Sequence, residues 1–260
     1  MIILLRRWLW RLRGFFYFSS TTIRIVVLCA CVHIISNVTA LVGVGYTGTS
    51  YSVVLHNCFS LNWPLFSKGF VWQLISHIFM HGSWWHLFIN MWAFVVFGSV
   101  LERDQGARFF LKVFLLGGII GGAGWLAYTA VLPYLSFMAP LSGWIAEPYR
   151  TWLSAGDGFK GSLSNSSCIG ASGGVFALLG CFIAMYPKRE LYVLLFFVIP
   201  LKLRAHTLLW IIVAFTVAEA IFIQSPIANA SHLCGGAFGY WLGWRSIRLG
   251  QCRVKARSQL

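Results

Sequence analysis

No Asp, Glu, Lys or Arg interrupts the chain between Arg24 and Lys68, Lys68 and Glu102, Lys112 and Glu147, Lys160 and Lys188, or Glu219 and Arg245. A water-soluble fold cannot hide so many uncharged apolar runs, whereas a hydrocarbon core of roughly 30 Å calls for helices of about 17 to 20 such residues. Composition agrees: the 260 residues are 58% apolar and 10% charged, with a mean hydropathy of +0.76. That balance excludes a soluble enzyme, a secreted disulfide scaffold and a disordered regulator. The 13 Trp suit a protein anchored at two lipid-water boundaries. The expected fold class is an all-α integral membrane protein with six transmembrane helices, near residues 25–44, 84–101, 109–128, 173–186, 206–223 and 231–249.

A net charge of +14 would point a soluble protein toward nucleic acid, but its placement argues for topology instead. With a cytoplasmic amino terminus, every one of the 20 Lys and Arg except Lys68, Arg150 and Lys160 falls on the cytoplasmic side. Both termini are therefore expected in the cytoplasm, with no nucleic-acid partner and with basic ends that touch the lipid bilayer. Residues 1–24 read as a basic interfacial segment in which Arg6, Arg7, Arg11 and Arg13 alternate with Trp8, Trp10, Phe15 and Phe16. Residues 25–249 form the core and 250–260 a basic tail. Cys29, Cys31, Cys58, Cys168, Cys181, Cys234 and Cys252 are odd in number and lack Cys-x-x-Cys spacing, so neither a disulfide framework nor a zinc cluster is indicated. Two long loops, 45–83 and 129–169, lie on the outer side, which directs function outward. The first carries Trp63, Phe66, Phe70, Val71 and Trp72 and is expected to lie partly in the bilayer.

Polar residues at membrane depth are informative because each costs a few kcal/mol unless it is paired or lines a wet cavity. His77, His81, His86 and Asn90 form the first cluster. On one continuous helix at about 100° per residue, His86 and Asn90 would face away from His77 and His81. A break after Gly82 with Ser83 as N-cap resolves this, placing His86 and Asn90 on one face of a helix that begins at Trp84. The second cluster is Gly170-Ala171-Ser172-Gly173-Gly174. Alone it is weak: a serine among glycines commonly serves helix packing, and the Gly-x-Ser-x-Gly elbow of soluble hydrolases needs a preceding strand. The third is His232, followed by Gly235, Gly239 and Gly243 at four-residue spacing.

That glycine stripe and a second one through Gly173, Ala177, Gly180 and Ala184 let two helices approach closely. Ser172 Oγ is then expected within about 2.6 to 3.2 Å of His232, at similar depth on the same side of the membrane. Serine needs such a base to become nucleophilic. His86, Asn90 and the Ser172 amide are candidate donors to the oxyanion that acyl transfer develops.

At these residues the chain resembles the rhomboid family of intramembrane serine proteases. The resemblance rests on His77-x-x-x-His81-x-x-x-x-His86-x-x-x-Asn90, then Gly170-Ala171-Ser172-Gly173, then Ala230-Ser231-His232 with its trailing glycines. It implies a catalytic dyad of Ser172 and His232 without a carboxylate. It also implies an oxyanion hole lined by His86 and Asn90, and structural roles for His77 and His81. Gly170, Gly173, Gly235 and Gly239 support the site, substrates are transmembrane proteins cut near the outer end of a span, and no cofactor is needed. Where the family often has Trp-Arg in its first loop, this chain has Trp72-Gln73.

Other chemistries fit less well. A zinc protease would need a glutamate between His77 and His81, where Ile78, Phe79 and Met80 stand. Asp104 and Asp157, the only aspartates, are both expected in loops, which disfavours an aspartyl dyad. Glu219 is ambiguous: it falls between Ser172 and His232 in the Ser, acid, His order of soluble triads, but a protonated or interface-facing glutamate bonded to a neighbouring helix or gate loop is the preferred reading, since the resemblance implies no acid in the catalytic set. A rhomboid-like protein that binds membrane segments without cutting them is the alternative function. The small core without an appended domain suggests a bacterial inner membrane, with the site opening outward.

Overall fold

The computed structural model describes residues 20–41, 51–138, 167–195, 199–222 and 226–250. The interfacial amino-terminal segment, most of the second outer loop and the basic tail therefore lie outside the described residues. The described chain is mostly helical. Helix α1 spans Thr21–Leu41, and the long loop after it, expected on the outer side, folds into α2 (Tyr51–Phe59), α3 (Trp63–Phe66), α4 (Gln73–Ser76) and a 3-10 turn at His77–Phe79. Then come α5 (Trp84–Gln105), α6 (Ala107–Met138), α7 (Ser172–Met185), strands β1 (Glu190–Leu195) and β2 (Ile199–Arg204), α8 (Ala205–Phe222) and α9 (Pro226–Arg248).

Local chemistry sets several of these boundaries. Ser83 is extended (φ −155°, ψ 161°) and its hydroxyl accepts from the His86 amide, so α5 starts where the sequence places the break. At its other end Gly106 sits at φ +91°, which an L side chain rarely adopts, and Ala107 begins α6 at once. Glu102, in the last turn of α5, caps α1 from outside: its carboxylate accepts from the Thr21 and Thr22 amides at 2.6 and 2.9 Å and from the Thr22 hydroxyl at 2.7 Å.

Three helices among the described residues are long and apolar enough to cross a membrane, at Thr21–Ala40, Trp84–Gln105 and Ala107–Ala130. Two further apolar helices are shorter, Ser172–Met185 and Ala205–Ala214, while α9 has 23 residues but is rich in glycine and polar side chains. Large apolar side chains on the outside, including Ile35, Trp85, Phe88, Trp210, Trp241 and Trp244, complete the surface of an integral membrane protein.

Helix α7 is the axis of the bundle. Nearly all its residues are buried, and α5, α6, α8 and α9 pack around it. At 14 residues and about 1.5 Å per residue it is only about 21 Å long. Phe94, Phe110, Phe114 and Phe182 fill the space between α5, α6 and α7, with Phe94 and Phe114 edge-on at 4.7 Å.

The architecture departs from the sequence reading in three places. Helix α6 runs 32 residues, so positions 129–138 continue the helix where a loop was expected. Asp104 is helical, in the last turn of α5, where it pairs with Arg103 and Arg189 at 3.1 and 3.6 Å. The connection from α7 to α8 is an antiparallel hairpin registered Glu190↔Arg204 to Leu195↔Ile199, closed by a 2.6 Å ion pair between Lys202 and Glu190. Its apolar strands are too short for periodicity to separate them from helix.

Candidate active site

The site begins with the turn ahead of α7. Gly170 sits at φ +117°, and its amide donates to the His77 carbonyl at 2.9 Å. Two residues earlier Cys168 exchanges both backbone hydrogen bonds with Leu61, at 3.0 and 2.8 Å. The segment leading into Ser172 is thus pinned to the first outer loop. Ser172 is the first residue of α7, half-buried at the end of an otherwise enclosed helix.

The two small-residue stripes meet as the sequence predicts. A methyl group added at Gly235 would run into the Gly173 carbonyl, one at Gly239 into the Ala177 carbonyl, and one at Gly180 into the Gly236 carbonyl. At Gly173 it would lie 2.9 Å from Ser231 Oγ. Helix α9 therefore lies directly on α7 with no element between them, and His232 faces the helix that begins with Ser172. Its ring stacks on Phe176, one turn after Ser172, with centroids 4.3 Å apart and planes 2° from parallel. The expected hydrogen bond is not formed: among the described residues none joins Ser172 Oγ to the His232 ring. Stacking on Phe176 fixes the imidazole plane parallel to that ring, and hydrogen bonds between a nucleophile and its base are commonly loose without substrate.

His86 and Asn90 approach from the other side. A methyl group at Gly170 would fall 2.8 Å from His86 Cε1 and Nε2 and 3.8 Å from Asn90 Nδ2, so both side chains crowd the turn preceding Ser172. Asn90 is buried, and its Nδ2 donates to the His86 carbonyl at 2.9 Å. His86 and His232 are near enough to interact electrostatically.

His77 and His81 sit beside this group. His77 is buried; its Nδ1 donates to the Gln73 carbonyl at 2.7 Å, and its ring fills the space that Gly122 of α6 leaves open. Burial lowers its pKa to about 4. His81 is likewise lowered to about 4, by burial first and then by the neighbouring His86, whose ring lies 5.3 Å away. Glu219 belongs to α8, but its side chain lies outside the described residues.

Three residues absent from the sequence reading, or treated there only as a departure, shape the site. Gln73 is fully buried, accepts from the Asn62 amide at 3.2 Å and donates to the Asn57 carbonyl at 2.9 Å, tying α2, α3 and α4 together. Phe176 supplies the face on which His232 rests. His33, buried in α1, donates from Nδ1 to the His81 carbonyl at 3.0 Å, and its ring meets Trp84 edge-on at 4.5 Å. His33 carries the same signal as His86, a polar side chain at membrane depth, but no local pattern joins it to a residue 48 positions away.

Residues 68–249, more than half the chain, match the Rhomboid domain. The chain belongs to the rhomboid family. It is 27% identical over 199 residues to RHOMBOID-like protein 12, mitochondrial, of Arabidopsis thaliana, covering 76% of this chain and 52% of that protein. To Rhomboid protein 1, mitochondrial, of Saccharomyces cerevisiae it is 28% identical over 189 residues, 72% of this chain and 46% of the other. To Rhomboid protease GlpG of Serratia proteamaculans it is 25% identical over 193 residues, 72% and 53% of the respective chains. The chain spans about half the length of the curated relatives it matches. Mitochondrial and chloroplastic rhomboids stand among these relatives beside bacterial ones, so the expectation of a bacterial inner membrane finds no support in them.

Proposed function

We propose that this rhomboid is an intramembrane serine protease that hydrolyses transmembrane proteins near the outer end of a span. One arrangement carries the reading. His232 stacks on Phe176 of α7, one turn after Ser172, while His86 and Asn90 crowd the Gly170 turn just before it. Nucleophile, base and oxyanion donors thereby gather at one end of one buried helix. The likeness to a rhomboid protease supports the same reading.

In this mechanism Ser172 Oγ attacks the substrate carbonyl carbon as its proton passes to His232. His86, Asn90 and the Ser172 amide hold the oxyanion, and His232 returns the proton to the departing amine. Water then attacks the acyl-enzyme ester as His232 takes its proton, and His232 passes that proton to Ser172 Oγ as the acyl carbon–oxygen bond breaks, freeing the serine and the carboxylic acid product. The six spanning helices are α1, α5, α6, α7, α8 and α9, with both termini cytoplasmic. The shortness of α7 sets its Ser172 end below the outer surface, where water enters and a substrate helix unwinds. Gly170, Gly173, Gly235 and Gly239 permit the close backbone approaches, and the dyad needs no acid from Glu219.

Labelling with a fluorophosphonate probe and cleavage of a membrane-embedded reporter test this directly. Wild type is expected to be labelled and to cut; Ser172→Ala is expected to do neither, and His232→Ala to lose cleavage. Folded wild type that takes no label would instead favour a rhomboid-like protein that only binds membrane segments. Asn90→Ala should lower turnover about 10²-fold with little change in thermal stability, as loss of one oxyanion donor does elsewhere; an unchanged turnover number removes Asn90 from the hole.

A further inference from the structure

Helix α1 is loosely packed, with Leu28, Ile34, Ile35 and Val38 exposed. Polar contacts hold it to the bundle at two levels: Glu102 caps its start, and farther along, His33 contacts the segment that carries His86. A carbonyl oxygen only accepts, so the contact between His33 Nδ1 and the His81 carbonyl fixes the proton on Nδ1. His33 Nε2 is buried and makes no hydrogen bond among the described residues, so the carbonyl is the polar partner of this ring.

We propose that His33 is a positioning residue for the oxyanion pocket, holding His86 in place through the His81 carbonyl and the Trp84 ring. The two contacts fall on either side of Gly82, in the connection between the 3-10 turn and α5. Residue 81 is held by the hydrogen bond, and residue 84, the first of α5, by the edge-on ring. His86 lies within the first turn after that brace, its amide bonded to Ser83 Oγ at 3.1 Å. Its ring rests on the Gly170 backbone next to Ser172. Slack at Gly82 would swing His86 away from that turn. An oxyanion donor acts only near 2.7 to 3.1 Å, and a displacement of about 1 Å can cost on the order of 100-fold in rate.

The inference rests on the proteolytic reading of the site, and two substitutions separate its parts. His33→Phe keeps a ring against Trp84 but deletes the donor. His33→Asn deletes the ring but places an amide N–H close to where Nδ1–H stood. Steady-state cleavage of the membrane reporter is expected to show kcat at least tenfold lower for His33→Phe, with KM within twofold of wild type. His33→Asn should recover at least half of wild-type kcat. Hydrogen-deuterium exchange is expected to quicken at amides 84–87 in both variants, and clearly less in His33→Asn, which keeps the bond to the His81 carbonyl, than in His33→Phe.

Full kcat in His33→Phe, or equal losses in both variants that follow a lowered thermal midpoint, overturns the inference and leaves the proteolytic reading intact. A folded wild type that neither cuts nor takes the fluorophosphonate overturns both.

Discussion

The two sides of the site are built by opposite means. On one side α7 and α9 meet backbone to backbone: Gly235, Gly239 and Gly180 let carbonyls of the facing helix come as close as a missing methyl permits. On the other side the first outer loop is held by side chains bonded to main-chain groups. Gln73 reaches the 57 carbonyl and the 62 amide, His77 the 73 carbonyl, and His33 the 81 carbonyl. The contrast follows from the solvent. Lipid gives no hydrophobic drive between helices, so α7 and α9 adhere through close van der Waals contact. The loop is a string of short helices and turns, whose many ends leave main-chain groups without intrahelical partners, so polar side chains must serve them.

The seam should be the easier side to break. Gly239→Val forces a branched side chain into the Ala177 carbonyl, and the expected loss is about 3 kcal/mol of stability together with cleavage, read by thermal unfolding in detergent and by reporter assay. A wild-type midpoint would mean that α9 can retreat from α7. On the polar side, Gln73→Leu removes three hydrogen-bonding roles without adding bulk; about 1 to 3 kcal/mol is expected, with the α2 to α4 region exchanging its amide hydrogens first.

Acid should also act on the polar side and spare the seam. His77 and His81 stay neutral in the fold down to about pH 4, whereas a free imidazole protonates near 6.5. Between those values the unfolded chain binds protons that the folded histidines refuse. Stability is complete above pH 6.5 and falls toward pH 4, by about 1.4 kcal/mol per pH unit for each histidine. His77→Gln should flatten that slope, and an unaltered slope would mean that other groups carry it. The smallest effect is expected at Glu219: Glu219→Gln should keep at least a tenth of wild-type cleavage, and a loss as deep as that of Ser172→Ala would bring an acid into the catalytic set.

Much of the framework was legible in local patterns. The Ser83 break followed from the helical angles of His77, His81, His86 and Asn90, and the seam from glycines spaced by four. The hairpin at Glu190–Leu195 and Ile199–Arg204 escaped because a short apolar run looks the same in a strand as in a buried helix. The extra turns of α6 escaped because hydropathy marks the span and not the end of the helix, which continues to Met138. At the site, the close approach of α7 and α9 was readable, but the orientation of the His232 imidazole was not. It lies on Phe176, a residue whose apolar character gave no hint of that use.

Amino-acid order alone determined that this chain enters a membrane, where α5 begins, and which helix faces are smooth enough to touch, because these depend on composition and on spacings within a few residues. The folded molecule alone decided that Gln73 and His33 satisfy main-chain groups 11 to 48 positions away and that the His232 ring stacks on Phe176. Such contacts depend on the distance between segments far apart in sequence, which no local period encodes.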